Sequence, residues 1–333
     1  MRLGILSICL SLTALPAAAL EIEDYQRFGP EDASTTLEII STADTAFFKP
    51  NIEAFLAGRT DLAVAYTVVS SADLMAELET GARDFDLAIS SAMDLQIKFA
   101  NDGGALAHRS DITAGLPDWA AWNDEVFAFT QEPAAIVVSN AAFADMAIPR
   151  NRQDLIATLR ENPERFRDRV GTYDVRRSGL GYLFATQDAR TSETYWRLTE
   201  VLGGLNAKLY CCSSDMIDAV VSGELAIAYN VLASYALKRA DRDAFTVVLP
   251  ADFTTLMLRS VLIPARAPNP ALAGQFIDRL LARSFDGSAL RPVQPTPGEG
   301  TLRRIDLGPA LLVYLDRFKR RGFVEEWESA ILQ

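Results

Sequence analysis

The chain has 333 residues, with 44 acidic side chains against 32 basic ones, a formal net charge of −12, a single histidine and three cysteines. This acidity opposes approach to phosphate backbones and anionic membrane surfaces, so nucleic acid is excluded as a partner. One histidine leaves almost no room for zinc hydrolases or Ser-His-Asp and Cys-His enzymes, and three cysteines are too few for a disulfide-stapled scaffold. The first element in chain order is an export leader over residues 1–19. Arg2 supplies its positive start, Leu3 to Leu15 its apolar core, and Ala17, Ala18 and Ala19 the small residues before cleavage after Ala19. Pro16 and the acids Glu21, Glu23 and Asp24 stop the apolar run short of the roughly twenty residues that a spanning helix needs. Cys9 follows Ile8 inside the apolar core, where a lipidation site would have a small residue, so no lipid anchor is expected. The remaining residues, 20–333, lose Arg2 and no acid and sit near −13. They exceed the length at which single cores stop growing, about 250–300 residues, so two lobes are expected, in a protein that works outside the cytoplasm.

Residues 37–40 read as a strand, 48–56 as a helix before Gly58, 62–69 as a second strand, 72–78 as a helix before Gly81, and 85–89 as a third strand. A glycine after each helix suits a left-handed cap. His108, in Gly103 to Ser110, lies in a strand or turn and reads as structural. Residues 134–140 form a strand that leads out of the first lobe. A second series follows: helix 153–159, strand 169–173, helices 180–186 and 193–202, strand 207–210, helix 216–221 before Gly223, and strand 225–229. The strand 261–264 returns the chain, followed by a helix over 270–282, a stiff Pro-rich loop 291–298 and one long helix over 309–331 that packs on a lobe. The alternation defines an α/β protein of two Rossmann-like lobes joined by a two-crossing hinge, with lobe one over 20–136 and 262–333 and lobe two over 137–261.

In open α/β sheets ligands sit beyond the carboxyl ends of strands, where helices begin. Two hydroxyl-rich turns occupy such positions, Ser41-Thr42-Ala43-Asp44-Thr45 and Ser90-Ser91-Ala92-Met93-Asp94. Helix capping explains them as well, and a cap facing a cleft serves both purposes. The turn Asp174-Val175-Arg176-Arg177-Ser178-Gly179-Leu180-Gly181-Tyr182 combines guanidinium groups, a hydroxyl and glycines at a helix start, as binding a carboxylate or phosphate requires. One of Arg176 and Arg177 is expected in the cleft and the other in a surface ion pair. The spacing matches neither a Walker loop nor a dinucleotide fingerprint. Tyr229 and Asn230 follow another strand, and Asn230 either caps a helix or offers its amide to a ligand. Cys211-Cys212, at a further strand end, reads as an inert or oxidised pair, with contact to a thiophilic ion or oxyanion as the lesser alternative.

Together the two serine turns, the crossing at Ile136 to Asn140, the Arg176 to Tyr182 turn and the run Tyr229 to Tyr235 resemble bacterial extracellular solute-binding proteins of ABC transporters, nearest to the ferric-ion and phosphorylated-sugar branch. The resemblance spans nearly the whole chain after the leader and implies the two-lobed type II periplasmic-binding-protein fold, closing by a hinge. It implies a periplasmic monomer with an ABC permease as membrane partner, or alternatively a sensor histidine kinase. Ferric-binding relatives hold iron through adjacent tyrosines where this chain has Tyr229-Asn230, so the expectation here is a small organic or phosphorylated anion, with no metal and no cofactor. A secreted hydrolase is the competing reading, but no Gly-x-Ser-x-Gly elbow or metal-ligating histidine pattern supports it. The expected ligand residues are Ser41, Thr42, Asp44, Thr45, Ser90, Ser91, Arg176, Arg177, Ser178, Gly179, Tyr182, Tyr229 and Asn230.

Overall fold

Two mixed sheets organise the chain in a computed structural model that describes residues 20–284 and 301–333. The leader and the Pro-rich loop 291–298 lie outside those residues. The first sheet runs Ile22–Phe28, Leu62–Val69, Thr35–Ser41, Leu87–Ser90, Ser260–Pro264, Val126–Ala128 and Ala121–Trp122 from edge to edge. Its core is parallel: Thr35–Ser41 pairs in that sense with both Leu62–Val69 and Leu87–Ser90. Every residue of Leu62–Val69 is buried, as a strand covered by helices on both faces must be. The second sheet runs Lys208–Tyr210, Val170–Tyr173, Ile227–Leu232, Glu132–Ser139, Phe253–Met257 and Thr301–Arg304, again parallel at its centre and antiparallel where the chain enters. Helix Ser71–Thr80 stops as expected at Gly81, whose φ of +60° and N–H donation to the Glu77 carbonyl form a left-handed cap.

The chain leaves the first sheet after Val126–Ala128 and enters the second at Glu132–Ser139, then returns between Phe253–Met257 and Ser260–Pro264. Both crossings fall a few residues earlier than the sequence suggested, because each strand is fully paired on its own side up to the turn. The C-terminal segment corrects the expected lobe assignment. Thr301–Arg304 pairs with Phe253–Met257 in the second sheet, and helix Arg317–Ile331 packs Phe323, Trp327 and Ile331 against Tyr195, Leu198 and Leu202. Nor is there one helix over 309–331. A 3₁₀ stretch, Pro309–Leu315, ends at Asp316, whose carboxylate accepts the Phe318 and Lys319 N–H groups and starts the α-helix afresh. That stretch reaches back to helix Met93–Asn101 of the first lobe.

Several strands lie outside the expected set, among them Ile22–Phe28, Phe245–Val248, Phe253–Met257 and Thr301–Arg304. Ile22–Phe28 is an edge strand with five exposed residues in succession, so it carries no apolar period to read.

Candidate functional site

Between the sheets lies a cavity of about 60 Å³, onto which five helix beginnings converge. In the first lobe these are the starts of Thr45–Leu56, Ser71–Thr80 and Met93–Asn101, represented on the wall by Asp44, Ser70, Ser71 and Ser91. In the second lobe Ser178 opens Gly179–Thr191, and Cys212 opens Ser213–Val221. Each start turns the positive end of a helix toward the cavity. Thr42 and Ser91, forty-nine positions apart, meet there: Ser91 N–H donates to Thr42 Oγ1 at 3.0 Å, and the hydroxyls lie 3.3 Å apart. Across the cleft the lobes touch, with the Gly179 N–H donating to Ser71 Oγ at 2.8 Å and Tyr235 stacked on Phe47 at 5.5 Å.

Arg259 supplies a buried positive charge. It sits in the return crossing, wholly buried, and its Nε donates to Glu132 Oε1 at 2.9 Å in the outgoing crossing. Thr130 and Ser234 also donate to Glu132. Burial pushes the Glu132 carboxyl up, but Arg259 and these hydrogen bonds outweigh it and hold the pKa below the usual range. Arg259 also lines the cavity, and its Nη1 is buried without a hydrogen-bond partner among the described residues. An orphaned guanidinium N–H costs at least about 1–3 kcal/mol, which an incoming acceptor would recover.

The expected site residues divide into two groups. Thr42, Asp44, Ser91, Arg177 and Ser178 line the cavity. Ser41 lies behind it, accepting from Tyr66 and from the Ala43 N–H, and Ser90 accepts from Ala92 in the same way. Thr45 is buried in its helix. Arg176 is the surface-paired member of its couple, bound to Asp174 and Glu328, whereas Arg177 faces the cleft. Gly179 serves as the interlobe contact, and the Tyr182 hydroxyl donates to the Tyr314 carbonyl.

Tyr229 and Asn230 require the largest correction. Strand Ile227–Leu232 bulges between Ala228 and Val231, with Asn230 at φ +64°, and this turns both side chains into the second lobe. There they join a buried cluster centred on Asp188, which accepts from Tyr229 at 2.9 Å, Asn230 at 3.0 Å and Thr255 at 3.2 Å and pairs with Arg152. A strand-end position in sequence therefore becomes a core position through one extra residue.

Other wall residues were absent from the expected set. Ser70 and Ser71 follow the strand Leu62–Val69, so the rule that found Ser41 and Ser90 applies to them equally. Arg259 stands as a lone charge in the apolar run Leu256 to Ile263, and Tyr235 ends the run that begins at Tyr229. Cys211 and Cys212 are bonded to each other on the wall, with Asp215 3.6 Å from Cys211 Sγ. Among the described residues these three form the one grouping of potential metal ligands, and the disulfide occupies both sulfurs. Glu23 completes the rim at the unpaired position of a bulge in the edge strand.

The architecture and the interlobe cavity define a hinged receptor. Residues 37–285 match the family model for bacterial extracellular solute-binding proteins. The chain belongs to this family. It is 30% identical to the substrate-binding protein of an ABC transporter from Agrobacterium tumefaciens, over 93% of this chain and 98% of that one, with a TM-score of 0.86. The fold is shared with AfuA from Actinobacillus pleuropneumoniae, whose structure holds exogenous fructose-6-phosphate, at 17% identity, 89% and 98% coverage and a TM-score of 0.67. Iron-bound HitA from Pseudomonas aeruginosa is similar at 14% identity, 89% and 99% coverage and a TM-score of 0.65. No curated protein matches the sequence. Among the described residues no helix is long and apolar enough to cross a membrane.

Proposed function

We propose that this protein captures a small anionic solute between its lobes and presents it to an ABC permease, acting in the periplasm after its leader is removed behind Ala19. The observation that carries the reading is the buried, unpartnered Nη1 of Arg259 on a cavity ringed by five helix starts. An anion there accepts from Arg259 and Arg177, from the Ser214 hydroxyl and from one hydroxyl of the Thr42–Ser91 pair, the other donating within the pair. Closure follows from the position of Arg259. Its partner Glu132 lies in the other crossing, so the ligand contacts the hinge itself and stabilises the closed arrangement by interactions that the open one lacks. The Arg259 side chain is held between Phe47 of the first lobe, at 5.3 Å, and Tyr235 of the second, at 6.0 Å.

The test is a thermal-shift panel of inorganic phosphate, sulfate, acetate, succinate and uncharged sugars, followed by calorimetry on Arg177→Ala. Arg177 is exposed and outside every ion pair of the described residues, so its removal leaves the fold intact. A hundredfold excess over Kd stabilises the folded state by about 2.7 kcal/mol. At least one anion is expected to raise Tm, with affinity falling several-fold in the variant. Stabilisation by a neutral sugar alone would refute the proposal.

A further inference from the structure

Resting on that reading, the cavity also specifies what else the solute carries. Two guanidinium groups, several hydroxyls and five helix starts on its wall favour negative charge, yet two carboxylates, Asp44 and Glu23, face the same space. Asp44 begins its helix without capping it, since its side chain accepts no N–H from the helix's first turn. Its contact is a 3.5 Å approach from the Tyr235 hydroxyl. Glu23 reaches the rim because the edge strand slips out of register with Leu62–Val69 at that residue, a bulge that re-aims its side chain. Neither carboxylate has an ion-pair partner among the described residues. Loss of hydration raises the pKa of each; Arg259 and Tyr235 only partly offset this at Asp44, and Asp44, Asp215 and Asp73 add to it at Glu23.

An anion alone satisfies Arg259 but leaves these acids uncompensated and adds like charge beside them. A solute that also carries a cationic group resolves both. We infer that the ligand is a small zwitterion whose acidic head meets the orphaned Arg259 Nη1 while an ammonium group meets Asp44 and Glu23. The cavity of about 60 Å³ holds roughly four to six water-sized groups at 10–15 Å³ each. That admits the charged ends of such a molecule, with any remainder emerging at the rim beside Glu23.

Matched pairs test this: glycine against acetate, and 2-aminoethyl phosphate against ethyl phosphate, titrated by calorimetry. The ammonium-bearing member of a pair is expected to bind about tenfold tighter or more. In Glu23→Gln/Asp44→Asn, two near-isosteric changes at partly exposed positions, that preference is expected to shrink to within about twofold while the anion-only member binds at least as well. An unchanged melting temperature confirms that the variant is folded. Equal affinity for both members in the parent protein overturns the zwitterion and leaves the anion receptor standing. Binding of neither pair, with methylammonium bound instead, overturns both.

Discussion

The hinge pair offers the sharpest energetic test, because Glu132 and Arg259 are 2% and 0% exposed and solvent screens their attraction little. Changing Glu132 to Gln keeps its shape but strands a buried guanidinium. Changing Arg259 to Met keeps the apolar stem but strands a buried carboxylate. Breaking such a pair from either side costs about 3–5 kcal/mol, whereas replacing both partners by uncharged side chains is far less costly. Each single variant should therefore lower the urea midpoint at unchanged slope and lower Tm by roughly 6 °C or more. The double variant should cost clearly less than the two singles together, with a coupling of about 1–3 kcal/mol. The pH profiles should differ in sign. With Arg259 present, the depressed Glu132 pKa gives stability that is complete above the unfolded value of 4.5 and lost as pH falls through the lower folded value. In Arg259→Met the stranded carboxyl titrates upward, so stability should fall as pH rises. Single variants that each cost under about 1 kcal/mol and simply add would refute the idea that one ion pair ties the crossings together.

Asp94 is buried with Oδ1 unpartnered among the described residues, and burial pushes its carboxyl from 3.8 up to about 7. The folded state therefore retains a proton that the unfolded chain releases, so stability should decline as pH rises from about 4 to about 7; Asp94→Asn should flatten the profile and gain up to roughly 4 kcal/mol above that window, measured by denaturant titration at several pH values. A Cβ at Gly179 would lie 2.8 Å from Ser71 Oγ and 3.0 Å from both Ala92 Cβ and Leu95 Cδ1. Gly179→Ala should thus hold the lobes apart, seen as a larger radius of gyration in solution scattering and weaker binding of whichever panel compound binds the parent, with little change in Tm. Asp188→Asn turns donors toward the donors of Arg152, Tyr229, Asn230 and Thr255 and should cost about 3 kcal/mol or more by urea titration, while ligand affinity of the folded protein stays unchanged.

The alternation of apolar runs with glycine-stopped helices determined the two α/β lobes, since burial on two faces leaves an unbroken apolar strand such as Leu62–Val69 and a capped helix leaves a glycine such as Gly81. The same local logic placed Thr42, Asp44, Ser91, Arg177 and Ser178 at strand ends, and these now face one cavity. Only the tertiary structure could decide what depends on partners distant in the chain. Arg259 becomes a hinge anchor because Glu132, in the other crossing, lies beside it. Arg176 and Arg177 look alike in sequence and separate only because Asp174 and Glu328 claim the first. Tyr229 and Asn230 turn inward through a bulge measured against a neighbouring strand, and the C-terminal helix joins the second lobe because Tyr195 and Leu202 offer its apolar face a place to bury. Spacing along the chain encodes which side of an element is apolar, but which surface it meets is settled by packing between segments that no local pattern relates.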